Sequence, residues 1–319
     1  MDVNNPKSKI RNYFVSRYAR IEIDIPKHLI AMKPSAVLLA LLLLFVTIDL
    51  YAQDVGPARG SLVVVGGAMQ DDAIIQRFFD LAGGPDASIV VIPTAGGADT
   101  YDASFYGMRL FREHGATNLT LLHTRDRAVA DSDAFVQAIR EAGGVWFSGG
   151  RQWRLADAYL GTKTETELWN LLDRGGVIGG SSAGATIQGS YLARGDTKTN
   201  TIMMGDHEEG FGFLKNTAID QHLLRRNRQF DLIEIIEARP ELLGIGLDEN
   251  TAIVVQGDWF EVIGASYAVI YDHQKMIGDD GRFYFLAPGD RYHLAERKAY
   301  RPVRQMQPLE RVEERPWGQ

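Results

Sequence analysis

Gly179-Gly180-Ser181-Ser182-Ala183-Gly184-Ala185, arriving directly after the apolar Gly176-Val177-Ile178, reads as a strand that breaks sharply into a helix. A serine hydroxyl is a poor nucleophile unless it stands exposed at a tight bend, beside a base and in front of backbone N–H donors. Small residues allow the chain to make that bend. Ser182 is the candidate nucleophile. The pattern Gly180-x-Ser182-x-Gly184 is short and equally describes a plain glycine-rich strand–helix turn, so its surroundings must decide.

Outward from this turn, short apolar runs alternate with amphipathic stretches. Ser61–Val65 precedes Asp71–Ala82, Ser88–Ile92 precedes Tyr101–His114, Leu119–Leu122 precedes Ser132–Ala142, and Val145–Phe147 precedes Arg151–Leu160. A further helix over Glu165–Arg174 leads into the strand that feeds Ser182. Runs rich in Val and Ile without polar alternation suit strands buried on both faces, so the pattern predicts a mostly parallel sheet sandwiched by helices. From Leu243 onward closely spaced strands, Ile253–Gln256, Glu261–Ile263, Ala268–Asp272 and Arg282–Leu286, predict an antiparallel extension of that sheet, with a polar tail from residue 297. Residues 54–296 are the expected catalytic domain.

In an open α/β sheet, sites gather beyond the carboxyl ends of the strands. Gly66-Gly67, Thr94-Ala95-Gly96-Gly97, Gly149-Gly150 and the Ser182 bend are four glycine-rich strand exits expected along one edge. Neither a Gly-x-Gly-x-x-Gly fingerprint nor a phosphate loop is present in them, so a nucleotide site has little support. Forty residues after Ser182, the apolar approach to Ile219-Asp220-Gln221-His222 supplies a candidate general base, His222, followed by Arg225, Arg226 and Arg228. Such a base must reach Ser182 Oγ and be oriented by a third group. Asp196 is the expected orienter. Glu249 either supports the site from behind or belongs to a structural turn. The oxyanion would be held by the backbone N–H groups of Ala183 and Gly150.

The chain has 319 residues and no cysteine, which removes thiol nucleophiles, disulfides and cysteine metal sites together. The net charge is −7, but residues 1–52 carry seven Lys/Arg against four Asp/Glu, leaving the body at 27 against 37. An acidic body argues against nucleic-acid binding. Residues 1–53 read as a leader. An uncharged core, Ala36 to Ile48, is too short for a comfortable membrane span but suits a signal peptide cut near Ala52 or Gln53. The 31 residues before Met32 make either a start at Met32 or an uncut membrane anchor the alternative. Export to a periplasmic or extracellular space is the expectation.

Four segments in this order, Phe147-Ser148-Gly149-Gly150-Arg151-Gln152-x-Arg154-Leu155, Gly180 to Ala185, Asp220-Gln221-His222-x-x-x-Arg226-x-Arg228 and Gly244 to Ala252, resemble cyanophycinase and its exopeptidase relatives. The resemblance covers roughly residues 60–275. It implies a class I glutamine-amidotransferase-like three-layer sandwich with a serine nucleophile and neither metal nor organic cofactor. Its implied substrate is a poly-aspartate backbone bearing arginine on its β-carboxyls, released as β-Asp-Arg dipeptides, or short aspartyl peptides; a homodimer is a further implication. By the same resemblance, Ser182 and His222 match nucleophile and base, and Gln152, Asp220, Gln221, Arg226 and Arg228 match substrate-pocket residues. The sequence departs from the family where an acidic residue is expected near Lys198 and Thr199, and where a third arginine is replaced by Asp231. Paired arginines suit substrate carboxylates because the guanidinium fork makes two charge-assisted bonds.

Two other classes share parts of this pattern. An α/β-hydrolase esterase has the same serine turn and Ser…Asp…His order, but no His-Gly-Gly motif precedes the turn here. A non-catalytic peptide-binding relative would keep the sandwich without turnover.

Overall fold

The computed structural model describes residues 55–275 and 281–303. The expected leader over residues 1–53, with its signal-peptide or anchor core, and the end of the tail lie outside the described residues.

The first half folds as the apolar runs dictate. Strands β1 (Ser61–Val65), β2 (Ile89–Ile92), β4 (Gly144–Phe147) and β5 (Val177–Ser181) are buried at every position, with the shorter β3 (Leu119–Leu121) at the edge. Between them run α1 (Asp72–Ala82), α2 (Tyr106–Glu113), α3 (Arg127–Ala130), α4 (Asp133–Glu141), α5 (Trp153–Tyr159) and α6 (Lys163–Asp173). Helix α1 starts where Asp71 caps the Ala73 N–H and stops at Gly83, whose φ of 106° is left-handed. The short α7 (Ala183–Thr186) follows β5 at the serine turn.

The strands β3-β2-β4-β5-β1 form a parallel core. Strands β9 (Thr251–Gln256), β10 (Trp259–Gly264), β13 (Arg291–His293) and β14 (Lys298–Tyr300) continue it antiparallel from β1, giving nine strands in the order β14-β13-β10-β9-β1-β5-β4-β2-β3. Side chains alternate across it. Val63 and Val65 pack with Phe78, Phe79 and Phe111 of α1 and α2, whereas Leu62 and Val64 share a cluster with Tyr159, Leu168 and Ile245 on the other face. At about 25 cal/mol per Å², such double-sided burial is the main term holding the layers together.

The extension after Leu243 divides, contrary to the single sheet expected. Strands β6 (Gly189–Tyr191), β7 (Leu214–Gln221), β8 (Leu243–Leu247), β11 (Ala268–Asp272) and β12 (Tyr284–Leu286) form a second sheet, ordered β12-β11-β8-β7-β6. All positions of β8 and β11 are buried, so these strands need cover on both faces. Residues of the first sheet's core supply one cover. Helix α8 (Asp231–Ala238) supplies the other, through Leu232, Ile235 and Ile236 packed with Ala218, Val269 and Tyr271. Strand β14 lies within the expected polar tail, beyond the boundary at residue 296.

Candidate active site

Ser182 occupies φ 58°, ψ −114°, a backbone conformation unusual for any residue other than glycine. It is held there by its N–H, which donates to the Val65 carbonyl at 3.0 Å, and by its own carbonyl, which accepts from Ala185 and Thr186 in α7. The flanking glycines are sterically required. A Cβ on Gly180 would lie 2.2 Å from the Gly184 carbonyl oxygen, and one on Gly184 would lie 2.1 Å from that of Phe147.

The glycine-rich strand exits meet around this serine. Gly149 approaches the Ser182 side chain, Gly150 packs against the Ala95 carbonyl, and the Gly66 carbonyl accepts the His222 N–H at 2.8 Å. Gly67, at φ 128°, lies beneath the imidazole: a Cβ there would stand 2.3 Å from His222 Cε1. Neither the Ala183 nor the Gly150 N–H donates to a backbone carbonyl among the described residues. Both remain available to a ligand oxygen.

His222 follows β7 at φ 55° and is 8% exposed. Its Nε2 lies 2.9 Å from Ser182 Oγ and its Nδ1 2.7 Å from Glu249 Oε1. Glu249 stands in the turn between β8 and β9, and two neighbours fix that turn. Asp248 Oδ1 accepts the N–H groups of Leu224 and Arg225, tying it to the segment just past His222, and Asn250 Oδ1 accepts those of Gln70 and Asp71. Burial lowers the His222 pKa below its ordinary 6.5. The Glu249 hydrogen bond opposes that shift, and the charges of Arg226 and Arg228 reinforce it. A neutral imidazole bonded to a hydroxyl on one nitrogen and a carboxylate on the other can accept the hydroxyl proton.

The expectation for Asp196 is corrected. Its Oδ1 accepts the N–H groups of Lys198 and Thr199, each at 2.9 Å, and its carbonyl accepts from Arg151, so it closes a loop while Glu249 takes the imidazole. The spacing within one sequence does not reveal this substitution. The signal that points to Glu249 is an acidic residue in a tight Asp-Glu-Asn turn between two apolar runs.

The expected pocket residues separate into two groups. Asp220 is fully buried and Gln152 almost so; Gln152 Nε2 donates to the Ala193 carbonyl, and Asp220 accepts two bonds from Arg194, at 2.7 and 2.9 Å. Asp220 thus braces the wall from behind, because burial of a carboxylate demands that its oxygens be spent on a partner, while Gln152 ties its amide N–H to the loop after β6. Gln221 accepts from Arg228 at 3.1 Å. Arg226 and Arg228 line a cavity with Phe230, Asp231 and Glu234. Asp231 does not stand as a lone negative charge there: it accepts from Arg194, whose guanidinium also reaches Asp220 and the Asn200 carbonyl. Arg228 is largely buried, and desolvation with the charges of Arg194 and Arg226 lowers its pKa. Among the described residues no group of three or more His, Asp or Glu side chains is arranged to hold a metal ion.

The sequence profile of Peptidase family S51 matches residues 62–263. The protein is similar to a cyanophycinase of Geminocystis herdmanii, with 32% identity over 77% of this chain and 96% of that one. It is also similar to a cyanophycinase of a Nostoc species, with 30% identity over 75% and 87%. The crystal structure of a peptidase from an acI-B1 actinobacterium shares the fold, with a TM-score of 0.59 and 23% identity over 75% of this chain and 98% of that one. The chain belongs to Peptidase family S51 and is a serine-type peptidase.

Proposed function

We propose that the protein hydrolyses aspartyl peptide bonds of the cyanophycin type through an acyl-enzyme on Ser182. The observation that carries this reading is the continuous relay of bonds Ser182 Oγ–His222–Glu249, at 2.9 and 2.7 Å. His222 Nε2 takes the hydroxyl proton as Ser182 attacks the carbonyl, and Glu249 keeps the other proton on Nδ1 and steadies the imidazolium. The Ala183 and Gly150 N–H groups receive the oxyanion, a contribution of about 2.7–4 kcal/mol per donor in comparable sites. The imidazolium then protonates the leaving amine, and a water activated by the same nitrogen releases the acyl group. Arg226 and Arg228 supply the charge for substrate carboxylates. The names of the relatives support the substrate class, and family membership favours a peptidase over an esterase or a non-catalytic binder. Export, with the leader removed, completes the proposal.

The test is release of β-Asp-Arg from purified cyanophycin by the wild type and by Ser182→Ala. Release that Ser182→Ala abolishes supports the whole reading. Absence of release, with a fluorophosphonate still labelling Ser182, would overturn the substrate and leave the nucleophile.

A further inference from the structure

Beyond the Gly149-Gly150 turn stands a second set of guanidiniums that the proposed chemistry does not use and that do not line the Arg226–Arg228 cavity. Arg151 and Arg154 follow that turn, and Arg125 follows β3. All three converge on the loop leaving β2. Arg154 Nη1 donates to the Ala95 carbonyl at 3.0 Å, the same oxygen that accepts the Arg151 N–H at 2.8 Å and against which Gly150 packs. Arg125 Nη2 donates to the Gly96 and Ala98 carbonyls, at 3.0 and 2.9 Å. Contact therefore runs from Ser182 through Gly149 and Gly150 to Ala95 and Arg154.

These cations are held by backbone oxygens more than by acids. Arg151 Nη2 donates to the Asp196 carbonyl, and among the described residues the one carboxylate engaged is Asp99, 3.1 Å from Arg125 and 95% exposed at its side chain, where a pair contributes little. Arg154 is the best placed of the three. One donor is fixed on Ala95, its guanidinium lies 5.2 Å from the Trp153 ring centroid, and its Nε and Nη2 donate to no acceptor among the described residues. Burial, and after it the charges of Arg125 and Arg151, lower its pKa. A planar fork held by one edge with the other edge free is preorganised for a carboxylate.

We infer that Arg154, backed by Arg125 and Arg151, forms a carboxylate-binding subsite for the part of the substrate across the scissile bond from the Arg226–Arg228 cavity. The inference rests on the proposed function and adds to it. Carboxylates would be read on both sides of the cleaved bond, which favours acidic oligopeptides over isolated acidic residues. The three arginines would also make binding sensitive to salt.

The experiment uses the full-length protein and a two-unit β-Asp-Arg peptide, prepared with its terminal backbone carboxyl free and with that carboxyl amidated. Hydrolysis is measured for wild type and Arg154→Gln, and binding by calorimetry in a Ser182→Ala background with and without Arg154→Gln. A charge-assisted bond predicts that the acid-over-amide preference falls about tenfold or more on Arg154→Gln, in kcat/KM and in Kd alike. A preference that does not change overturns the subsite, even where hydrolysis proceeds and the proposed function stands. A wild type that cleaves neither peptide while the binding preference still depends on Arg154 would sink the proposed substrate and retain the subsite.

Discussion

His222 makes two bonds of different kinds: Nε2 meets a hydroxyl that loses a proton on the proposed mechanism, and Nδ1 meets a carboxylate that fixes which nitrogen keeps one. On the proposed mechanism Glu249→Gln lets the ring settle in the wrong tautomer, and kcat should fall by about 10³–10⁴ with little change in KM, as for the aspartate of other serine triads. Asp196→Asn keeps an Oδ1 that accepts the same two N–H groups, so its kcat should stay within a few-fold of wild type. Steady-state kinetics of the two variants decide between the carboxylates, and the opposite ranking would restore Asp196. Ser182 and His222 are legible in the sequence because a serine between glycines and a histidine at a strand exit are local signals. Asp196 and Glu249 are not ranked by it, since either lies a loop away from the imidazole. The lowered His222 pKa sets a pH dependence. Neutral imidazole persists below pH 6.5, so the acid limb of kcat/KM should lie below that value, and Arg226→Ala, which removes one of the lowering charges, should move it upward. The same shift makes the unfolded protein bind this proton first, so the associated stability is full above pH 6.5 and is lost as pH falls through the folded pKa.

At the scale of elements, the long excursion between β6 and β7 is held in part by His207, a side chain whose charge depends on pH. His207 places Nε2 2.8 Å from Asp157 Oδ1 on α5 and Nδ1 3.0 Å from Asp206 Oδ1, while Asp206 also accepts from the Thr197 N–H and hydroxyl. Carboxylates accept and do not donate, so both bonds require the imidazolium. Burial alone would lower the His207 pKa, but the bonds to Asp206 and Asp157 outweigh it and the net shift is upward. The folded pKa exceeds the unfolded one, so the pin is fully present below pH 6.5 and is lost as pH rises through the folded value. Amide exchange of residues 197–207, corrected for intrinsic rates, should therefore quicken at alkaline pH, and Asp157→Asn should remove most of that dependence. Equal protection at both pH values would show that the pin does not hold the loop. This loop is not legible in the sequence, and the strand after it is only partly so. Five of the eight residues of β7 are polar, because its second and third positions are exposed and its end carries the buried Asp220 that Arg194 needs. The strands β1, β2, β4 and β5 are legible because burial on both faces leaves an unbroken apolar run.

In the whole molecule the site lies where two sheets meet. Ser182 leaves β5 of the first sheet, His222 leaves β7 of the second, and Glu249 sits in the turn that leads from β8 in the second sheet to β9 in the first. The sequence pattern alone joins these strands into one sheet, because strand signals specify burial and not which of two sheets supplies the neighbours. The same ambiguity hides the end of the fold. Residues 297–303 read as polar tail, yet Arg297 donates to the fully buried side chain of Asp272 at 2.7 Å and to the Glu241 carbonyl, while β14 pairs with β13. A protein ended at Glu296 would leave the Asp272 carboxylate buried with its cation gone. Removing one partner of such a pair costs about 3–5 kcal/mol. Each kcal/mol shifts the melting temperature of a domain of this size by about 2–4 °C, so truncation after Glu296 should lower it by about 6–20 °C relative to truncation after Val303. Arg297→Ala alone should reproduce most of that loss, and an Asp272→Asn change added to it should recover part, since the amide needs no counter-charge. Calorimetric melts of the four proteins test this, and equal melting temperatures for the two truncations would place the last strand outside the cooperative fold.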